Sequence, residues 1–341
     1  MQQMVLFGAG NIGRQALACL RNCGIEPVAF ADTDAKKWDT KVDGLTVMDP
    51  QLCRDRYPYA TWVATVLSLP ASAEVPQKMR EMNVNRLPLW TCLPTSLRVR
   101  PKYTLNAVLD VLADDESKWE AKDQYQFYVA PDYDARLDYL PMDQIYFPPF
   151  IKLGEREHFV DCGADYGDTV EAFLKHCPKY SHITAFEPDA ANFAKLYSTY
   201  ALYPDVSLID MASSDMSSAE KFYALGDFSS RLFDAEIDSE ERKTIYVSTM
   251  RLDDYDWPIP PTFIKMDIEG AEPKALWGAK NIIAKYSPVL AVCCYHRPDH
   301  YWQLPLLIHA LNPRYKLFLR RYWIVPWEIV CYAVPNERVT L

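Results

Sequence analysis

Residues that could carry chemistry stand at the ends of two apolar runs. Phe263-Ile264-Lys265-Met266 leads into Asp267-Ile268-Glu269-Gly270, and Pro288 to Cys294 leads into Tyr295-His296-Arg297. Runs this apolar suit parallel strands buried on both faces. Open parallel sheets bind ligands at the carboxyl ends of their strands, so Asp267, Glu269 and His296 are expected at one crevice. A carboxylate there could act as general base, ligate a metal or accept a bond from a substrate hydroxyl. His296 could take a proton from such a hydroxyl or serve as a structural histidine. Lys265 could hold a carboxylate in place, orient the acceptor or pair with Glu269. A divalent metal on Asp267, Glu269 and His296 is a further reading.

The elements that must position these groups begin upstream. Phe159-Val160-Asp161-Cys162-Gly163-Ala164-Asp165-Tyr166-Gly167-Asp168-Thr169 reads as a strand, a glycine loop and the start of a helix over Val170 to His176. Bare backbone at Gly163, Ala164 and Gly167 lets a ligand lie against the chain. Asp161 can fix the loop, and Asp168 or Thr169 is placed to cap the helix or to meet the ligand. The strand Ile183 to Phe186 ends at Glu187, whose carboxylate can accept bonds from both hydroxyls of a ribose. The strand Val206 to Ile209 ends at Asp210 and Met211, where this kind of fold borders a purine; turn chemistry accounts for both residues equally well. The loop resembles the S-adenosylmethionine (SAM) loop of class I methyltransferases. A helix over Glu272 to Ala284 follows the acidic turn. Tyr315 to Leu319 and Ile329 to Ala333 read as a closing antiparallel pair.

A second glycine turn lies at the start of the chain. Val5-Leu6-Phe7-Gly8-Ala9-Gly10-Asn11-Ile12-Gly13 has the spacing of a dinucleotide-binding turn, and Asp32 follows the next strand where a ribose-binding carboxylate would stand. Gly8, Gly10, Gly13 and Asp32 are thus candidates for a nucleotide or NAD(P) site. An assembly or substrate-positioning domain with an empty pocket is an equal alternative, since a fold alone does not carry a function.

The chain has 341 residues, enough for two domains. Residues 1–100 read as a small Rossmann-like domain. Residues 101–155 form a connecting segment, with a helix over Leu105 to Tyr125 and an aromatic, proline-rich stretch from Tyr128 to Phe150. Residues 156–341 form the second α/β domain. A net charge of -10 argues against a nucleic-acid partner. The absence of a long apolar stretch argues against a membrane span, and the start lacks the pattern of a signal peptide. A cytoplasmic location is expected, with a homo-oligomer left open. The nine cysteines show no CxxC spacing, which points to buried, reduced thiols.

FVDCGADYGDT at Phe159 to Thr169, AFEPD at Ala185 to Asp189, FIKMDIEGAE at Phe263 to Glu272 and YHRPDHYWQLP at Tyr295 to Pro305 together resemble the FkbM methyltransferases. The resemblance runs from about Asp114 to Val334. It implies a class I methyltransferase fold, with SAM as cofactor and a hydroxyl of a sugar, glycan precursor or other small molecule as acceptor. It implies Asp161, Gly163 and Glu187 for SAM, and Lys265, Asp267, Glu269 and His296 near the transfer site. At His300-Tyr301-Trp302-Gln303 an acid common in the family is missing. The Gly8 turn lies outside the resemblance. It leaves two other functions to weigh: an NAD(P)-dependent oxidoreductase and a non-catalytic assembly protein.

Overall fold

A computed structural model of the chain describes residues 3–22, 24–66, 71–87, 103–129, 139–223, 231–232, 245–323 and 328–340. They fall in two compact units, one within Met1–Leu105, Lys122–Tyr139 and Trp323–Trp327, the other within Asn106–Ala121, Leu140–Tyr322 and Glu328–Leu341.

Short apolar runs punctuated by glycines and capping acids build the first unit. Its strands are β1 (Met4–Phe7), β2 (Ala29–Ala31), β3 (Lys41–Val42), β4 (Leu45–Met48), β5 (Thr61–Ala64) and β6 (Asn85–Leu87). They form one sheet in the order β3-β4-β2-β1-β5-β6, parallel except for the β3–β4 hairpin. Asp43 and Gly44 turn that hairpin, both at positive φ, as a two-residue hairpin loop requires. Helices α1 (Asn11–Asn22), α2 (Pro50–Arg56) and α3 (Ala71–Glu81) connect the strands. This is a small Rossmann-like unit.

Two helices, α4 (Tyr103–Val111) and α5 (Asp115–Val129), replace the single helix expected over Leu105 to Tyr125. Leu112 bridges to Leu317, and the Ala113 amide donates to the Leu317 carbonyl at 2.8 Å, which diverts the chain from helical bonding. Asp114 then starts the second helix, its carboxylate accepting from the Ser117 amide at 2.8 Å.

The second unit is built on seven strands: β7 (His158–Cys162), β8 (His182–Phe186), β9 (Val206–Ile209), β14 (Phe263–Met266), β15 (Val289–Cys293), β16 (Lys316–Arg321) and β17 (Ile329–Val334). Their order is β16-β17-β15-β14-β7-β8-β9. β9, β8, β7, β14 and β15 run parallel, and β17 and β16 close the sheet antiparallel. The numbers between them belong to a small side sheet of β10 (Ala212–Ser213), β11 (Ala219–Tyr223), β12 (Arg231–Leu232) and β13 (Ile245–Met250). The flanking helices are α6 (Asp168–His176), α7 (Ala190–Tyr200), α8 (Glu272–Gly278), α9 (Lys280–Tyr286) and α10 (His300–Leu311). This is the α/β arrangement of a class I methyltransferase.

The central strands are buried along their whole length, and Phe159 stacks on Phe173 of α6 with ring centroids 4.5 Å apart. Such a pair adds about 0.5–1.5 kcal/mol beyond the area it buries. Strand order reverses between β7 and β14, so the crevice for a ligand opens where those two strands end.

The helix expected over Glu272 to Ala284 is also two helices. At Gly278 a Cβ would stand 2.0 Å from the Ser214 carbonyl oxygen, and the close approach breaks the helix there. Asp253 then caps α9, accepting from the Asn281 and Ile282 amides at 3.0 Å. Among the described residues no helix is long and apolar enough to cross a membrane. Burial pushes the Cys53 and Cys162 thiols up to about 12.

Candidate active site

The loop after β7 is held open by its backbone. Gly163 has φ +81°, and a Cβ there would lie 2.0 Å from the Asp267 carbonyl oxygen. Only glycine lets the two strand ends approach this closely. The Gly163 and Ala164 amides both donate to the Phe186 carbonyl at 3.0 Å, tying the loop to the end of β8. The side chain of Asp168 does not cap α6. The N-cap is Gly167, and Asp168 bonds locally to the Thr169 amide at 2.8 Å. The positive φ of Gly167 turns the chain into the helix, so the expected capping role of Asp168 or Thr169 is not the one found.

Glu187 stands at the tip of β8 and is 5% exposed. Its two carboxylate oxygens accept from the Asp165 and Asp189 amides, each at 2.8 Å, which leaves further lone pairs on both oxygens. Burial pushes its pKa up to about 7 against those two bonds.

Asp161 and Lys265 are register partners on the adjacent strands β7 and β14, so their side chains leave one face together. The Lys265 Nζ lies 3.0 Å from Asp161 Oδ1 and donates to the Gly163 carbonyl at 2.7 Å. Burial would lower the lysine pKa, but Asp161 and Asp267 raise it, while burial pushes Asp161 up to about 6 against the pull of Lys265. The expected pairing of Lys265 with Glu269 is therefore replaced. Strand register gives the ammonium to Asp161 and the loop carbonyl, and Lys265 acts as a positioning residue.

Beyond the strand ends, acids converge on one imidazole. The His296 Nε2 lies 3.2 Å from Asp267 Oδ1 and 3.4 Å from Glu269 Oε1, and Nδ1 lies 2.8 Å from Glu272 Oε1. Tyr146 donates to Asp267 Oδ2 at 2.8 Å and Tyr295 to Oδ1 at 3.3 Å. Burial would lower the His296 pKa, but Glu272, Glu269 and Asp267 raise it well above the ordinary range. Burial would raise Asp267, yet His296 and Lys265 hold it well below the carboxylate range. The acids thus favour the charged form of the buried ring, and Asp267 and Glu269 stand at the cavity wall in front of it.

A cavity of about 310 Å³ reaches from Gly163, Thr169 and Glu187 to Lys265, Asp267 and Glu269, with Asp161, Glu272 and His296 outside its lining. Met211 lines it, while Asp210 is exposed and does not, because the chain turns outward at the end of β9. The expected pairing of Asp210 with a base edge is thus not formed. Nine described non-glycine residues have positive φ, and four of them, Tyr146, Asp165, Glu269 and Glu328, line this cavity. Backbone strain gathers at functional sites, which marks the cavity as one. Tyr146, Glu272, Tyr295 and Glu328 escape sequence reasoning. Glu272 stands within the acidic turn but reads as the first residue of a helix. Tyr146 comes from the aromatic stretch, and Glu328 follows no periodic pattern. Of that stretch, Pro131 and the rest of 130–138 lie outside the described residues.

In the first unit, the carboxylate of Asp32 is already engaged. It accepts from the Ala9 and Asp34 amides and from Lys37 Nζ, each at 2.9 Å. At Gly10 a Cβ would meet nothing within 4 Å, whereas at Gly13 it would lie 2.0 Å from the Gly8 carbonyl oxygen. The turn is thus open at Gly10 and tightly packed at Gly13, and its carboxylate is bound to the protein.

Residues 161–319 match the methyltransferase FkbM domain. Among solved structures, the methyltransferase FkbM from Methylobacillus flagellatus KT is similar over 97% of this chain and 90% of its own, with TM-score 0.66 and 19% identity. An rRNA methylase from Streptococcus thermophilus is 12% identical over 55% of this chain and 90% of its own, with TM-score 0.34. The fibrillarin of Aeropyrum pernix, solved with bound S-adenosyl-L-methionine, is 9% identical over 53% of this chain and 69% of its own, with TM-score 0.31. No curated protein matches the sequence. The family match and the sheet order agree: residues 161–319, which build most of the second sheet, are similar to the methyltransferase FkbM domain.

Proposed function

We propose that the second unit transfers a methyl group from SAM to a hydroxyl oxygen of a sugar or another small molecule. The observation that carries this reading is the continuity of one cavity from the glycine loop and Glu187 to the paired acids Asp267 and Glu269. The residues present fit the donor. Gly163 offers bare backbone at the cavity wall, and Glu187 keeps free lone pairs where ribose hydroxyls would donate. When bound, SAM supplies an already activated methyl group.

The chain's own task is then to bind, orient and receive a proton. Lys265 holds Asp161 and the Gly163 carbonyl, so the loop keeps its shape. Asp267, fixed by Tyr146 and Tyr295, and Glu269 face the cavity and accept the acceptor's hydroxyl bond, and Glu269 receives its proton. An acidic wall favours a neutral, hydroxyl-bearing acceptor over an anion.

The test is calorimetric titration with S-adenosylhomocysteine (SAH), followed by transfer of labelled methyl to a panel of nucleotide sugars. Stoichiometric binding, with label recovered as a methyl ether, is the expected result. Absence of binding, or label found only on nitrogen or carbon, overturns the reading.

A further inference from the structure

We propose that Glu328 reads the charge of the donor, so that the cavity holds the sulfonium of SAM more tightly than the neutral sulfur of SAH. The inference rests on the proposed function, which puts the donor in this cavity. β17 starts at Ile329 and runs antiparallel to β15, so the residue before it stands at the carboxyl end of β15, on the edge where the ligand crevice opens. Two backbone bonds fix it there. The Tyr322 amide donates to the Glu328 carbonyl at 2.8 Å, and the Cys294 amide to the Ile329 carbonyl at 2.7 Å. Glu328 is held at φ +53°, a conformation that is costly for a residue with a long side chain and that gathers at functional sites.

The charge balance of the cavity singles out this carboxylate. Asp165, Asp168, Glu187, Asp267, Glu269 and Glu328 line it, and Lys265 is the one base among the described lining residues. That ammonium is committed to Asp161 and the Gly163 carbonyl. Asp267 accepts from Tyr146 and Tyr295 and faces His296, and Glu269 faces the same ring at 3.4 Å. Among the described residues none donates a hydrogen bond to the Glu328 carboxylate. Burial, Asp267 and Glu269 push its pKa up to about 7, while His296 and Lys265 pull it down. Tyr146, Tyr295 and Cys293 also face it, and burial keeps all three neutral.

In the proposed function the ribose is held at Glu187 and the acceptor at Asp267 and Glu269, so the donor's sulfur stands between them and faces the acid end of the cavity. Unit charges of opposite sign within one small, partly buried cavity change affinity by about tenfold or more. On transfer the C–S bond breaks with its electron pair left on sulfur. The methyl joins the hydroxyl oxygen, and the hydroxyl proton passes to Glu269. The product sulfur is neutral, so the attraction that holds SAM is absent from SAH, and the spent donor is the weaker ligand.

SAM and SAH themselves are the probes, because they differ by one methyl group and one positive charge. Full-length protein is titrated with each by calorimetry at pH 6, 7 and 8. At pH 8 the wild type should bind SAM about tenfold more tightly than SAH. A sulfonium favours the ionised carboxylate, so the preference is present above about pH 7 and should shrink as pH falls to 6. Glu187 titrates in the same range, but both ligands carry the same ribose, and its effect cancels in the ratio. Glu328→Gln should narrow the preference roughly fivefold or more and flatten its pH dependence, while Glu328→Asp, which keeps the charge, should retain it. The wild-type pH series keeps the test decisive if a variant fails to fold. Equal affinity for the two ligands in the wild type, or a Glu328→Gln protein in which both weaken alike, overturns the inference and leaves the proposed function standing. Binding of neither ligand overturns both.

Discussion

Replacing Glu187 by Gln changes one atom, and the structure makes it costly. Both carboxylate oxygens accept backbone amides, from Asp165 and Asp189, at 2.8 Å. In Gln one oxygen becomes an amide group, which must turn a donor toward one of those donors. A lost hydrogen bond to a charged acceptor costs about 1.5–3 kcal/mol. SAH affinity should therefore fall roughly ten- to hundredfold. The wild type adds a pH signature. Burial lifts the carboxyl pKa to about 7, and ribose hydroxyls donate best to the ionised form. Affinity should rise with pH up to about 7 and level off above about 8. Below the folded pKa it should fall close to tenfold per unit, about 1.4 kcal/mol each. Calorimetry at pH 6, 7 and 8, in buffers of different ionisation heat, reads both affinity and proton release. A flat wild-type profile, or a variant that binds SAH like the wild type, refutes the reasoning.

Further outcomes follow from the same geometry. Gly163→Ala drives a methyl toward the Asp267 carbonyl at a positive φ; it should cost about 4 kcal/mol or more and abolish SAH binding, and near-normal urea unfolding would contradict it. Lys265→Met leaves the buried Asp161 carboxylate without its ammonium. A loss of about 3–5 kcal/mol is expected, seen as a lowered thermal midpoint. His158 is buried, bonded to Thr184 and the Ile259 carbonyl, and burial pushes its pKa down to about 4. Because the unfolded ring binds a proton near pH 6.5, this contribution is present above that pH. It is lost as pH falls toward 4, by at most about 3 kcal/mol. In His158→Gln, denaturant midpoints should therefore depend less steeply on pH between 6.5 and 4; an unchanged slope would count against it.

Several features of the site could be read from residue order, because their causes are local. The strand before Gly163, the tip position of Glu187 and the acidic exit at Asp267 all follow from apolar runs ending in turn residues. Helix continuity was less legible. The patterns over Leu105 to Tyr125 and Glu272 to Ala284 look unbroken, but distant carbonyls of Leu317 and Ser214 meet the chain at the breaks. The partner of Lys265 was illegible as well, since spacing along the chain favours Glu269 while strand register delivers Asp161.

By itself the sequence determined that two α/β units would form, that glycine loops would follow their first strands, and that acids would gather at one edge of the second sheet. These follow from hydrophobic period and from residues that allow or forbid a given φ. Only the tertiary structure decided who meets whom. It placed Glu272 behind His296, Tyr146 on Asp267 and Glu328 at the cavity wall, across separations of 24 to more than 100 residues. Such contacts depend on the packing of strands and turns that no local pattern specifies, and the raised pKa of His296 depends on those contacts in turn.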